Sequence, residues 1–299
     1  MKAKAKKTWI DVPDVPADAG RVVFSTVAAG SEPFVVNALC SKAAAAGGPV
    51  IYVARDGSAL GDWAQVFSFV APDIEIIDFP AWDCLPYDRV SPGSDVSARR
   101  LAAMSRFAEL KDNPAPAVVL TTANAILQRM PPPGEIAAQT IVARPGQTIR
   151  MDDIAATLAS AGFERVPTVR EVGEYAVRGG ILDIFAPGTA DAVRLDFFGD
   201  TLESVRAFDP ATQRTTGQKT QFTLQPASEI SLTPQSVARF RQGYLSTFGA
   251  PSRDDALYTS ITSQQRFAGM EHWLPLFHED LTTLFDCLPD APVVMEHLT

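Results

Sequence analysis

The sequence has few of the residues on which most metal centres and disulfide frameworks are built. It contains three cysteines and three histidines, which are Cys40, Cys84 and Cys287, and His272, His278 and His297. The cysteines are far apart, odd in number and without a C-x-x-C pair, which is typical of buried free thiols in a cytosolic protein. The histidines lack the i, i+4 spacing of a helical metal site. We therefore expect no metal ion and a cytoplasmic location.

Long apolar runs and an excess of basic residues are also missing. No stretch approaches the roughly eighteen uninterrupted apolar residues that a membrane span needs, so we expect no membrane contact. The formal charge of −9 and the pI near 4.9 disfavour a surface that coats nucleic acid and favour protein partners. The basic start, Met1 to Lys7, does not lead into a secretory apolar region. We interpret residues 1–20 as a flexible basic tail.

The elements that the sequence does predict alternate between strands and helices in its first part. Predicted helices cover residues 34–46, 60–70, 96–110, 151–161 and 235–247. Predicted strands cover residues 21–27, 49–54, 74–79, 117–121, 180–185, 193–198, 201–208, 221–224 and 292–295. Strands that alternate with helices indicate an α/β fold with a parallel sheet.

The pattern changes in the middle of the chain. Residues 21–139 read as the first part of an α/β domain, and residues 140–226 as a small inserted α+β domain with short strands. Gly199 and Asp200 stand between two alternating runs, which predicts a two-residue hairpin. Residues 227–299 then complete the larger domain. Because an apolar strand emerges just before Thr299, we expect the chain to be part of a longer protein.

A phosphate-binding loop is predicted to be degenerate at the start of the larger domain. A strand, a Gly-containing loop and a helix are the setting of a P-loop, in which backbone N–H groups and a lysine hold phosphates. The loop here contains Gly30, Ser31, Glu32 and Pro33 where Gly-Lys-Thr would stand. A carboxylate repels phosphate and proline lacks an N–H group, so the loop is expected to bind no nucleotide.

The last predicted strand lacks the acidic pair of a second nucleotide-binding motif. A Walker B element places an Asp-Glu pair after four apolar residues, to hold Mg²⁺ and the attacking water. This chain has Glu296 and His297 there. No G-x-S-x-G nucleophile motif is present either. We therefore expect neither catalysis nor a cofactor in this chain.

One predicted strand of the inserted domain has an unusual polar face. The period of two places Arg194, Asp196 and Phe198 together, opposite an apolar face. Arginine and aromatic residues dominate protein–protein hot spots, and Arg178 could join the same face. The alternative is a half-buried phenylalanine under a loop, with Arg194 paired to Asp196 or Glu203. The pattern alone does not separate the two interpretations.

Several motifs connect the chain with a known family. The inserted domain contains EYAVRGGILDIF from Glu174 and RLDFFGD from Arg194. Elsewhere the chain contains PAWDCLPYDRVSP from Pro80, FDPATQRTTG from Phe208 and GMEHWLPLF from Gly269. The first two runs resemble the second domain of the nucleotide-excision-repair protein UvrB. All five together, in their order along the chain, resemble the N-terminal UvrB-like module (domains 1a, 2 and 1b) of the bacterial transcription-repair coupling factors (Mfd), over roughly residues 20–298.

The resemblance implies a fold and a binding site. It implies a degenerate P-loop, helicase-like parallel-sheet domain, split around an inserted domain that resembles UvrB domain 2 and binds UvrA. Arg178, Arg194 and Phe198 match the UvrA-contacting positions of the family, and Arg165 and Arg206 are secondary candidates. UvrB itself keeps a working phosphate loop and a hairpin that grips damaged DNA, and this chain departs from it in both respects.

The resemblance also implies properties of a longer parent protein. Such a parent uses ATP and Mg²⁺ to move along double-stranded DNA, binds stalled RNA polymerase, and masks the UvrA-binding face with its own C-terminal domain. We therefore interpret the chain as a non-catalytic module that recruits UvrA and the excision-repair machinery to stalled polymerase. The alternatives are a divergent nucleotide-binding ATPase or helicase domain and a DNA-binding module.

Overall fold

The computed structural model describes residue 12 and residues 20–296, apart from positions 26, 29, 47, 59, 87, 188 and 190. Most of the predicted tail at residues 1–20, and His297 of the predicted second motif, lie outside the described residues. By contacts the chain divides into two compact units. The first is Met1–Ala81, Glu109–Gln128 and Thr283–Thr299, and the second is Trp82–Ala108 and Arg129–Thr282. The predicted inserted domain at residues 140–226 stays a prediction.

The helices and strands follow the predicted alternation. The helices are α1 Glu32–Ala46, α2 Leu60–Val70, α3 Ser94–Asp112, α4 Ala123–Ile126, α5 Pro133–Ala138, α6 Met151–Ser160, α7 Pro234–Phe248, α8 Ala256–Thr262 and α9 Leu284–Cys287, with a 3-10 helix at Met270–Leu276. The strands are β1 Val50–Ala54, β2 Glu75–Phe79, β3 Ala117–Thr122, β4 Ile141–Ala143, β5 Glu164–Arg165, β6 Glu174–Arg178, β7 Ile181–Ile184, β8 Ala192–Phe198, β9 Thr201–Phe208, β10 Thr215–Lys219, β11 Phe222–Leu224 and β12 Val293–Met295.

The first unit is built on a four-stranded sheet in the order β12-β1-β3-β2, in which every pairing is parallel. All residues of β1 and β3 are buried, as expected for central parallel strands whose two faces are both covered. Phe67 of α2 is fully buried against this sheet with Val36 and Cys40 of α1. Burial raises the pKa of the Cys40 thiol to about 12, so this cysteine is an inert core residue. The α/β prediction is confirmed.

The predicted strand at residues 21–27 is wrong for the residues that can be described. Positions 21–25 and 27 form no strand, and the α1 helix follows them directly after Gly30 and Ser31. The side chains of Val22, Val23 and Val27 are all exposed. An apolar, β-branched run favours a strand only where it can pair and bury one face, and this run does neither.

The second unit contains a six-stranded sheet in the order β10-β9-β8-β7-β6-β5. Its neighbours are antiparallel except for the short β5–β6 pair. One face packs on α6 through Ile154 and Leu158, which are buried with Tyr175, Leu182 and Leu195. A separate aromatic core forms where α7, α8 and the 3-10 helix meet around Phe240 and Phe277, whose rings are stacked 4.9 Å apart.

The predicted hairpin between β8 and β9 is confirmed. The strands pair in antiparallel register up to Phe198 opposite Thr201, and Gly199 has a positive φ of 58°. Glycine adopts this conformation at little cost, which is why it suits the first position of a two-residue turn. The other predicted helices and strands, the run at residues 21–27 excepted, match observed ones within two residues at either end. Among the described residues, no helix is both long and apolar enough to cross a bilayer.

The turn between β6 and β7 gives a test of the sheet geometry. A Cβ atom at Gly180 would lie 2.7 Å from the carbonyl oxygen of Phe197, closer than atoms can approach. We expect Gly180→Ala to lower the free energy of unfolding by about 1–2 kcal/mol, because the turn must shift away from β8. Gly217→Ala on β10, where no atom lies within 4 Å, is the matched control and should change stability by less than about 0.5 kcal/mol. Urea denaturation followed by circular dichroism measures both, and equal losses would contradict this geometry.

Candidate functional site

Strand β8 places apolar and polar side chains on opposite faces of the six-stranded sheet. Val193, Leu195 and Phe197 are buried in the main core of this unit. Arg194 and Asp196 are partly buried on the other face. The alternation predicted for this strand is therefore confirmed, and the polar face carries charges that the apolar face lacks.

A fully buried carboxylate, that of Asp183 on β7, lies at the centre of this polar face. Register places Asp183 directly opposite Arg194 on β8. Arg194 donates from Nε to one carboxylate oxygen at 2.6 Å and from a terminal nitrogen to the other at 2.8 Å. Arg178, at the end of β6, donates to the second oxygen at 2.5 Å. One carboxylate thus holds two arginines, the first of them in a bidentate geometry that is among the strongest in proteins.

Arg194 is held from two sides. Its guanidinium carbon lies 4.8 Å from the centre of the Phe208 ring, a cation–π distance, and only 15% of its side chain is exposed. Hydrogen bonding to Asp183 is the main cause that raises the pKa of Arg194 above its usual value. The alternative in which Arg194 pairs with Asp196 or Glu203 is wrong, because the cross-strand register puts Asp183 opposite Arg194.

A second ion pair stands beside the first on the same face. Arg206 of β9 binds the Asp196 carboxylate through two nitrogens, at 2.8 Å and 2.6 Å. Ser204 donates a further hydrogen bond to the same carboxylate. Burial alone would raise the pKa of Asp196, but these hydrogen bonds outweigh it and hold the pKa below its usual value. Asp196 is therefore paired with Arg206, and Arg194 is paired with Asp183.

Phe198 is the most exposed aromatic side chain of this face. It ends β8 beside the Gly199 turn, and the residue is 77% exposed to solvent. The alternative in which this phenylalanine lies half-buried under a loop is wrong. Arg178, which has 48% of its side chain exposed, lies at the same end of the sheet, since its neighbour Gly180 accepts a hydrogen bond from the N–H of Phe197. We call Arg178, Arg194, Phe198 and Arg206, with the carboxylates of Asp183 and Asp196, the arginine–phenylalanine surface.

The structure separates one secondary candidate from this surface. Arg165 is exposed on β5, and register pairs it with Tyr175 of β6. Tyr175 is buried in the main core, and directly paired residues of a ladder point to the same face of a sheet. The register position of Arg165 is therefore on the core side, whereas that of Arg206 is on the polar side.

Sequence reasoning missed two residues that organise the surface, Asp183 and Phe208. The pattern did contain a signal for Asp183, because an acidic residue interrupts the apolar run ILDI of β7. An aspartate in such a strand needs a buried partner. Naming that partner requires the register of β7 against β6 and β8, which no local pattern supplies.

The predicted degenerate loop is closed on itself. Glu32 and Pro33 are the first residues of α1, and Gly30 has a positive φ of 82°. The N–H and hydroxyl groups of Ser31 both donate to the carbonyl of Ala28, at 3.0 Å and 2.5 Å. The Ser31 amide is therefore already hydrogen-bonded within the loop.

The two degenerate motifs converge on one tyrosine. Tyr52 of β1 has a raised pKa, first because it is buried and then because the carboxylates of Glu296 and Glu32 lie within Coulombic reach. The backbone N–H of Glu296 donates to the carbonyl of Val53 at 3.1 Å. Lys42, the nearest lysine along α1, donates to the carbonyl of Val12 at 2.6 Å. Two carboxylates, one at the start of α1 and one after β12, therefore lie near the Tyr52 phenol. No group of metal-ligating side chains occurs among the described residues.

Comparison with known proteins identifies the second unit in particular. Residues 141–230 match the family model described as the UvrB interaction domain. The transcription-repair-coupling factor of Haemophilus influenzae is 35% identical over 73% of this chain and 19% of its own length. Those of Rickettsia bellii and Escherichia coli are 31% and 32% identical over 84% and 81% of this chain, and 22% and 21% of their own lengths.

The chain is a relative of the transcription-repair-coupling factors. It spans about a fifth of the length of these curated relatives. Every residue of the arginine–phenylalanine surface lies inside the region that matches the UvrB interaction domain. The degenerate loop and Glu296 lie outside it.

Arg194 is mostly covered and paired with a buried acid, whereas Phe198 is exposed, so denaturation should distinguish the two residues. We expect Arg194→Ala to lower the free energy of unfolding by about 3 kcal/mol or more, because it leaves the buried Asp183 carboxylate short of its bidentate partner. Phe198→Ala removes an exposed ring and should change stability by less than about 0.5 kcal/mol. Chemical denaturation of each variant measures the difference. A small loss for Arg194→Ala would show that this pair does not support the sheet.

Proposed function

We propose that this chain is a recruiting module whose arginine–phenylalanine surface binds UvrA, so that the excision-repair machinery reaches RNA polymerase stalled at a DNA lesion. The observation that carries the proposal is an exposed Phe198 on the same sheet face as the half-exposed Arg178, inside a region that matches the UvrB interaction domain. The kinship with transcription-repair-coupling factors supports the same role.

The surface suits a protein partner for physical reasons. An exposed phenylalanine at a rigid hairpin end loses little conformational freedom on binding and buries a large apolar area. Arg178 uses one terminal nitrogen on Asp183, and its remaining donors can reach a partner's acceptors. Arg194 is mostly covered, so its part is to hold the surface in place. Binding energy should therefore come mainly from Phe198 and Arg178.

The chain itself is proposed to be non-catalytic. Two carboxylates, Glu32 and Glu296, stand near Tyr52 where a nucleotide's phosphates would need positive charge. In the longer protein we propose that separate domains use ATP and Mg²⁺ to move on double-stranded DNA and to displace RNA polymerase. We also propose that a C-terminal domain of that protein masks the arginine–phenylalanine surface, and that the protein acts in the cytoplasm.

Binding to purified UvrA tests the central part of this proposal. We expect Phe198→Ala to weaken binding by about thirtyfold or more, as an interface anchor does, and Arg178→Ala to weaken it by about fivefold to tenfold. Isothermal titration calorimetry at fixed salt measures both, because charge contacts depend on ionic strength.

Two matched variants serve as controls. Phe69 on α2 is 88% exposed, so Phe69→Ala removes an equally accessible ring from the other unit. Arg253 is exposed in the loop before α8, so Arg253→Ala makes the same charge change as Arg178→Ala. Both should leave the affinity within about twofold. If Phe69→Ala weakens binding and Phe198→Ala does not, UvrA binds elsewhere.

Nucleotide binding is the test of the non-catalytic assignment. A ligand at a hundred times its Kd stabilises a protein by about 2.7 kcal/mol, which raises the melting temperature by several degrees. We expect millimolar ATP with Mg²⁺ to leave the melting temperature unchanged, since the loop end of α1 is acidic and its Ser31 amide is occupied. A clear rise that Glu32→Gln increases further would favour the alternative of a divergent nucleotide site.

A further inference from the structure

Asp183 accepts hydrogen bonds from both Arg178 and Arg194, and the strand register shows how it fixes the position of Arg178. On β6 the residue opposite Asp183 is Ala176, which is buried in a small apolar cluster with Val169 and Phe208. Arg178 stands two residues further along the same strand and reaches back diagonally to the carboxylate. The hydrogen bond to Asp183 therefore determines where the guanidinium of Arg178 lies.

The two guanidinium groups would not stay together without this acid. Both donate a terminal N–H to the same carboxylate oxygen, at 2.5 Å from Arg178 and 2.8 Å from Arg194. Two positive groups so close repel each other, and a shared negative group offsets that repulsion. Because Asp183 has no exposed surface, its carboxylate is weakly screened by solvent and salt.

We propose that Asp183 is a positioning residue for partner binding: it fixes Arg178 in its binding orientation, on the sheet face that also carries Phe198, before the partner arrives. This proposal rests on the proposed function, because the partner is the protein that binds the arginine–phenylalanine surface. Asp183 itself, being buried beneath the arginines, touches no partner. It acts by removing the conformational freedom that Arg178 would otherwise lose on binding.

Charge and position predict opposite results for the loss of this acid. The surface carries three arginines and two aspartates, so Asp183→Asn makes it more positive by one unit. If binding depended only on positive charge, Asp183→Asn would tighten it. If Asp183 positions Arg178, the same change weakens binding although the surface becomes more positive.

The first experiment is a double-mutant cycle on binding to purified UvrA. We expect Asp183→Asn to weaken binding about tenfold, and Arg178→Ala to have little further effect in that background. Asp196→Asn is the matched control, because it makes the same charge change on the same face but removes the partner of Arg206. In the Asp196→Asn background, Arg178→Ala should keep its full effect. Unchanged or tighter binding of Asp183→Asn, or an undiminished effect of Arg178→Ala in that variant, would overturn the proposal.

The second experiment needs no variant that removes the buried acid. Nitrogen-15 relaxation of the arginine Nε–H groups reports how far each side chain is ordered in the free protein, with the signals assigned from Arg178→Lys and Arg165→Lys. We expect Arg178 to be ordered on the picosecond–nanosecond timescale although it is half-exposed, and the exposed Arg165 to be mobile. Equal mobility of the two would overturn the proposal even if Asp183→Asn does not fold.

The two proposals fail in different ways. If the unaltered chain does not bind UvrA, the proposed function fails, while the relaxation data still decide whether Asp183 orders Arg178. If UvrA binding depends on Phe198 but not on Asp183, the proposed function stands and only the positioning role is lost.

Discussion

The side chain of Asp183 has no solvent contact. A buried charge of this kind needs hydrogen bonds and an opposite charge from within the protein. The hydrogen bonds of Asp183 come from arginines on the two neighbouring strands, so it ties β6, β7 and β8 together on the face opposite the main core. Replacing such a pair by apolar residues is often harmless, whereas breaking it is costly. The arrangement therefore fits a site that needs fixed arginines better than a site that needs only stability.

The first unit differs from the second in where its charged groups lie. Its parallel sheet is well packed, and its central strands are buried. The loop end of α1 carries Glu32, and the carboxylates of Glu32 and Glu296 both lie within Coulombic reach of Tyr52. In the proposed function this unit has no catalytic part.

Local pattern predicted much of the fold, and long-range register explains what it did not predict. The alternation of β8 and the Gly199–Asp200 turn could be inferred because both depend on neighbours in sequence. The partner of Arg194 could not, because Asp183 lies on another strand. The run at residues 21–27 has strand composition but forms no pairing among its described residues. Exposure of Phe198 was likewise undetermined, since a strand pattern does not say whether a loop covers its polar face.

The proposed recruiting role requires that UvrA contacts the surface at Phe198. Site-specific photo-cross-linking tests this most directly, with the photoreactive amino acid p-benzoylphenylalanine introduced at position 198 and, as a control, at position 69. We expect a mixture with purified UvrA to give a cross-linked product from position 198 and none from position 69. A product from position 69 alone would contradict the proposed role and would place the partner on the other unit.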